Sequence, residues 1–263
     1  MNRIDRRFKE LRAEGRKAFI AYITAGDPNL AMTAKLVLSL ERSGVDMIEL
    51  GIPFSDPLAD GPTIQAASQR ALAGGATLRK AFAAVTAMRR KTEIPLVFMM
   101  YFNPILRFGI KEFFARCRTA GVDGVIVPDL PCEEARDLVK AGRANGVATI
   151  FLAAPTSTNR SVREIIKKSR GFIYYVSLTG VTGARSALPS DIAKNLKKIK
   201  SLTDKPVAVG FGVSTPAQAA GLARHADGVI VGSAIVKIVG EREDVITRVS
   251  RFAKSLAKAI HNA

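Results

Sequence analysis

Short apolar runs alternate with longer amphipathic stretches along almost the whole chain. The short runs are Ala18–Thr24, Met47–Gly51, Leu96–Tyr101, Gly124–Pro128, Ala148–Ala153, Phe172–Leu178, Val207–Gly210 and Gly228–Val231, and they read as strands. Most are apolar throughout rather than at every second position, the pattern of parallel strands covered by helices. Between them, Leu30–Ser43, Leu78–Lys91, Lys111–Ala120, Glu133–Ala144, Val162–Ser169 and Pro216–Arg224 carry helical periodicity. The last helix is the clearest, with Val245, Ile246, Val249, Phe252, Ala253, Leu256 and Ile260 along one face. Asp27-Pro28-Asn29 and Ser214-Thr215-Pro216 mark helix starts, and Gly44, Gly121 and Gly146 mark helix ends. Eight strands alternating with helices predict an α/β fold, one (β/α)8 barrel domain of the TIM type spanning 1–263. A further helix at about Arg3–Glu14 is expected to close the barrel bottom. A doubly wound open sheet is the alternative, but no GxGxxG follows the first strand.

Composition narrows the function classes. The N-terminus MNRIDRRFKELRAEGRK is charged throughout, with no apolar signal segment. No apolar run approaches the roughly 18 residues of a membrane span, so a cytoplasmic protein is expected. The two cysteines, Cys117 and Cys132, form no CxxC pair. Cys117 reads as a small core residue. Cys132 follows Pro131 at a predicted helix start, where the dipole would lower its pKa, but no His or second Cys accompanies it. His225 and His261 stand apart near helix ends, so no metal site is expected. The net charge of +17 is unusual for a metabolic enzyme and admits nucleic acid, an acidic partner or an anionic substrate. The basic residues fall in short groups (Arg6-Arg7, Arg89-Arg90-Lys91, Lys167-Lys168, Lys197-Lys198 and Lys200) without an aromatic platform, which reads as solvated helix faces rather than an RNA surface.

The candidate chemistry begins at Glu49, a carboxylate inside an otherwise apolar strand. The loop after it holds Pro53, Pro57 and Pro62 with Asp56 and Asp60, a rigid acidic segment that neither helix nor central strand accommodates. Active sites of such barrels lie at the C-terminal ends of the strands, so Glu49 and Asp60 are placed at one mouth. From position alone, Glu49 also fits a buried carboxylate paired with a Lys or Arg. Asp60 also fits a cap on the helix near Thr63–Ala73. Late in the chain, Gly180-Val181-Thr182-Gly183, Gly210-Phe211-Gly212 and Gly232-Ser233-Ala234 follow the last three strands. Glycine lets backbone N–H groups approach an anion, and a short helix starting at Ser233 would aim its N-terminus there.

The segment GIPFSDPLADGPTIQ resembles the tryptophan synthase alpha family, and the likeness runs from YITAGDP through VGSAIVKIV. The resemblance implies a lyase that cleaves indole-3-glycerol phosphate to indole and glyceraldehyde 3-phosphate. It implies Glu49 as general acid and Asp60 as the partner of the indole N–H. It also implies an indole pocket of Tyr22, Ile64, Met99, Tyr101, Ile126, Tyr174 and Phe211, with the Tyr174 hydroxyl on Glu49. Gly183, Gly212, Gly232 and Ser233 match the phosphate grip. Thr182 matches a threonine that meets Asp60 when two lids, Phe54–Gly61 and Thr179–Leu188, close. SLTGVTGARSALP departs from the commonest family pattern at Leu178-Thr179. The resemblance further implies a beta subunit in an αββα complex, met through Pro53, Asp56, Pro57, Asn103 and Pro131. No cofactor is expected on this chain, because the pyridoxal phosphate belongs to the beta chain. A catalytically quiet subunit that activates the beta partner is the alternative, and intact Glu49 and Asp60 weigh against it.

Overall fold

The computed structural model describes residues 1–176, 190–210 and 212–263. The strands are β1 (Ala18–Thr24), β2 (Met47–Gly51), β3 (Leu96–Met99), β4 (Gly124–Ile126), β5 (Ala148–Ile150), β6 (Leu152–Ala153), β7 (Ile173–Val176), β8 (Val207–Gly210) and β9 (Gly228–Val231). All pair in parallel, in the order β5-β4-β3-β2-β1-β9-β8-β7-β6. The predicted strand Ala148–Ala153 is split at Phe151 into β5, which pairs with β4, and β6, which pairs with β7. These two pieces are one stave, so the ring closes as an eight-stave barrel. Phe151 stays in the ring through its carbonyl, which accepts from the Tyr174 N–H at 3.1 Å.

The helices are α1 (Arg3–Ala13), α2 (Leu30–Arg42), α3 (Pro62–Ala73), α4 (Leu78–Met88), α5 (Phe102–Phe108), α6 (Ile110–Ala120), α7 (Arg136–Asn145), α8 (Asn159–Lys168), α9 (Ser190–Lys200), α10 (Pro216–Ala223), α11 (Ser233–Gly240) and α12 (Val245–His261). Their starts are set locally. Asn29 accepts from the Met32 N–H, and Thr215 forms a reciprocal capping box with Gln218. The predicted strand Leu96–Tyr101 ends early, because Tyr101 is already the extended N-cap of α5. That helix was not anticipated: Pro104 reads as a breaker, yet it sits in the first turn, where proline is tolerated. The predicted strand ending at Pro128 also stops sooner, at Ile126, while β7 is described to Val176 and residues 177–178 of that prediction lie outside the described ones.

Strand alternation sorts the side chains into two cores. Phe19, Ile23, Ile48, Leu50, Leu96, Phe98 and Val209 face outward and pack against the helices. Ile20, Met47, Val97, Ile126, Ile150, Phe172, Tyr174 and Ile230 fill the interior. Burying each such aliphatic side chain contributes roughly 1.5–3 kcal/mol. As expected, α1 closes the bottom: Ile4, Phe8 and Leu11 join the interior cluster, with the Phe8 and Phe172 rings 5.8 Å apart.

The bottom face is also wired electrostatically. Asp46, Asp123 and Asp227 each accept a backbone N–H from a neighbouring strand or its approach, from Phe19 (2.7 Å), Leu96 (2.9 Å) and Val207 (3.0 Å). Each is matched by a cation, Asp46 by Arg7, Asp123 by Arg3 and Arg89, Asp227 by Lys200, and His261 Nε2 also lies 2.8 Å from Asp46. Several basic residues read as solvated faces are therefore structural. Arg89 lies past the end of α4, and its guanidinium turns inward onto Asp123 and the carbonyls of Gly121 and Ile94.

Candidate active site

Glu49 pairs in register with Tyr22 on one side and Val97 on the other, which points it into the barrel interior. It is fully buried, and neither carboxylate oxygen has a hydrogen-bond partner among the described residues. Among the described residues no Lys or Arg pairs with it. The expected hydrogen bond from the Tyr174 hydroxyl is absent as well, although the charge of Glu49 helps to raise that hydroxyl. Burial alone pushes the Glu49 carboxyl up to about 8. A buried carboxylate without partners is costly when ionised, so this group holds its proton at neutral pH.

Asp60 is half-buried in the loop between β2 and α3. It does not cap the helix: Gly61 is the N-cap of α3 and offers no side chain. Burial raises the Asp60 carboxyl above its ordinary value, and the Tyr101 hydroxyl acts in the opposite direction. The loop is held by two side chains beyond it. The Tyr101 hydroxyl accepts from the Ala59 N–H at 2.8 Å, and Gln65 Nε2 donates to the Asp60 carbonyl at 2.8 Å. The Phe54 and Tyr101 rings stack with centroids 5.3 Å apart. Tyr101 is steadied in turn by Asp129, which accepts the Phe102 N–H at 2.9 Å.

Both carboxylates belong to one mouth. The buried Tyr22 hydroxyl is driven far above the ordinary tyrosine range by burial, then by the charge of Asp60, and further by that of Glu49. Tyr22, Ile64 and Val236 form one apolar cluster, and Met99 packs against both it and the interior cluster holding Ile126 and Tyr174. Five of the seven predicted pocket residues are thus brought together, and Tyr101 joins them through the Asp60 loop; Phe211 lies outside the described residues, as do Thr182, Gly183 and the Thr179–Leu188 lid. Two glycines make room for the tyrosines. A Cβ at Gly51 would stand 1.9 Å from the Tyr22 hydroxyl, and one at Gly210 would stand 2.7 Å from that of Tyr174.

Two staves from Glu49, beyond β1, α11 begins at Ser233 with Gly232 as N-cap and no side chain on its first amides. Ser233 is exposed, and Gly212 takes a positive φ of 72° with open space around it. A helix start left open in this way is suited to an anion.

Other candidates divide. Cys117 is buried in the outer core as expected. Cys132 is not at a helix start, since α7 begins at Arg136. Burial and the Glu133 carboxylate push its thiol up to about 11, so the expected dipole activation is absent. Among the described residues no cluster suited to a metal ion exists, and no helix is long and apolar enough to cross a membrane. Sequence reading missed Gln65, Asp129 and Gly51. Gln65 is visible as the polar residue five positions after Asp60, one turn into the following helix.

A family model described as tryptophan synthase alpha chain matches residues 8–262. The chain is 49% identical over 265 residues to the tryptophan synthase alpha chain of Geobacter sulfurreducens, covering 100% of both. It is 48% identical over 262 residues to that of Citrifermentans bemidjiense, covering 99% of this chain and 98% of the relative. Among solved structures it resembles tryptophan synthase subunit alpha from Legionella pneumophila, with TM-score 0.93 and 36% identity over 100% of both chains. It also resembles a chain of Mycobacterium tuberculosis tryptophan synthase, with TM-score 0.91 and 39% identity over 99% and 98% of the two chains.

Proposed function

The chain belongs to the tryptophan synthase alpha chain family, and from that premise we propose that its mouth performs a retro-aldol cleavage of indole-3-glycerol phosphate to indole and glyceraldehyde 3-phosphate. The observation that carries this reading is Glu49: a buried carboxyl without partners, protonated at neutral pH, in an apolar cavity shared with Asp60. Cleavage of the C–C bond needs the indole ring as an electron sink, and protonation at the ring carbon C3 makes it one. Glu49 donates that proton. The resulting carboxylate takes the proton of the side-chain hydroxyl as the bond breaks, which returns Glu49 to its starting state and leaves an aldehyde. Asp60 receives the indole N–H and stabilises the positive charge that spreads onto the ring nitrogen.

The pocket walls suit a flat apolar ring, and the start of α11 suits the phosphate, with Gly212, Gly232, Ser233 and Gly183 as its cradle. Substitution Ser233→Asp sets a carboxylate against the bound phosphate. It is expected to raise KM at least about tenfold with little change in kcat, read by steady-state indole release.

Asp60 depends on how its loop is held. Gln65→Ala releases the Asp60 carbonyl and is expected to lower kcat about tenfold. Combined with Asp60→Asn it should add almost nothing, because both changes act through one carboxylate. Full additivity would remove Gln65 from this role.

Indole is apolar and is best passed directly to a beta subunit. The mouth rim offers surface for such a partner, in an αββα assembly: Asp56, Asn103 and Pro131 are exposed and Pro57 is partly so. Pro53, counted among the contacts from the sequence, is buried under the loop. Leu58 is 93% exposed and Leu106 57% exposed on the same rim, an apolar surface that a partner would cover. We read the chain as one barrel domain working in the cytoplasm.

A further inference from the structure

The residues assigned above to the phosphate, Gly183, Gly212, Gly232 and Ser233, include no lysine or arginine, so that assignment gives the charge of +17 no use. Part of it is spent at the barrel bottom, where Arg3, Arg7, Arg89 and Lys200 neutralise Asp46, Asp123 and Asp227. One sector of the same face breaks that pattern. In that sector the approaches to β7 and β8 and the last turns of α7 and α8 enclose a cleft of about 730 Å³. Arg143, Lys167, Arg170 and Lys205 line it, with Asp5 and Asp204 also on its wall.

Among the described residues, none of these four cations makes an ion pair, with the two aspartates or with any other group. Lys205 is fixed in place: its ammonium donates to the Ser169 carbonyl at 2.8 Å and also to that of Ile166, at the C-terminal end of α8. Burial, and then the fields of Arg143 and Arg170, hold that ammonium below its usual range. Concentrated like charge around a rigid concave centre is an unfavourable arrangement until an anion enters it. Two guanidiniums set beside a fixed ammonium offer the forked donors that phosphate oxygens accept.

We propose that this cleft, on the barrel face opposite the catalytic mouth, is a binding site for a compact anion bearing two linked phosphate groups. Two linked phosphates offer more acceptor oxygens than one to the donors of four side chains. The position is far from the mouth along the strands, so occupation does not compete with indole-3-glycerol phosphate.

The test is calorimetric titration of the full chain with inorganic pyrophosphate at low ionic strength, in the Ser233→Asp background that closes the catalytic phosphate grip. One binding event is expected. Adding Arg143→Gln and Arg170→Gln should weaken it at least about tenfold. The charge-matched pair Lys197→Gln and Lys198→Gln, on α9 outside the cleft, should change it less than about twofold. All these bottom-face and α9 variants should keep a wild-type Tm, since none of the replaced cations is ion-paired. Equal weakening by the two pairs would mean a diffuse field rather than a site and would overturn the proposal. So would tight binding of a short single-stranded RNA with none of pyrophosphate, or equal affinity for orthophosphate and pyrophosphate.

Discussion

Glu49→Gln should abolish indole release to the limit of a sensitive assay, a loss of at least about 10³-fold in kcat with KM changed only slightly. The reason lies in protons rather than shape. Glutamine fills the same space beside Tyr22 and Val97, but it cannot donate to the indole ring and cannot take the hydroxyl proton back. Two pH experiments separate that explanation from a folding defect. Because the carboxyl titrates at about 8, wild-type kcat should fall as pH rises through 8, where the acid form is lost. Stability should carry the same signature. The folded group titrates at about 8 and the unfolded one near 4.5, so between those values the folded state holds a proton that the unfolded state has released. The contribution of this group to stability is therefore full below pH 4.5 and declines as pH rises toward 8, by an amount on the order of 5 kcal/mol. Glu49→Gln removes this titration. Its Tm should lose that slope and should match or exceed wild type at pH 9. A variant that is inactive and also melts early at every pH would mark Glu49 as a packing element instead.

Much of this arrangement is legible in the linear sequence, because its causes are local. Continuous apolar runs set the strands, and asparagine and threonine before helical patterns set the caps, so Asn29 and Thr215 stand where they were placed. Glu49 is conspicuous because a lone carboxylate within Met47–Gly51 has no local reason to be there. What sequence reading could not separate was the pairing of that carboxylate from its isolation. Pairing depends on which cations reach the interior from other strands, and none among the described residues does. The same logic explains the misreading of Arg89. Its position on the polar side of the Leu78–Lys91 pattern looks solvated, while its partners, Asp123 and the Gly121 carbonyl, come from the next βα unit.

The supports of the mouth were hidden for a related reason. Gly51 and Gly210 lack a side chain because the Tyr22 and Tyr174 hydroxyls lie where one would be, a contact between neighbouring staves that no single segment encodes. Tyr101 was assigned to the pocket wall on resemblance, and its larger local task is to accept the Ala59 N–H and steady the acidic loop. Cys132 shows the reverse error. Pro131 signals a helix start, but the turn through Cys132–Glu134 delays α7 to Arg136 and leaves the thiol buried beside a carboxylate.

The second large effect is expected at Asp60. Asp60→Asn should lower kcat by about 10²–10³-fold, less than Glu49→Gln, because it removes a charge that stabilises the transition state but leaves the proton donor in place. The loop itself should stay put, since the bonds that hold it run to the Ala59 N–H and the Asp60 carbonyl, both backbone groups that asparagine preserves. KM should therefore change only a fewfold, with the phosphate end of the site untouched. Burial raises the Asp60 carboxyl above its ordinary value, so wild-type activity should fall on the acid side earlier than a free aspartate would dictate. That acid limb depends on ionised Asp60, and Asp60→Asn should remove it while the alkaline limb set by Glu49 remains in the residual rate. Two limbs that respond separately to two substitutions would assign charge stabilisation to one carboxylate and proton transfer to the other. If Asp60→Asn kept its rate within about threefold and retained both limbs, the indole nitrogen would need no anion here. Glu49 would then carry the chemistry alone.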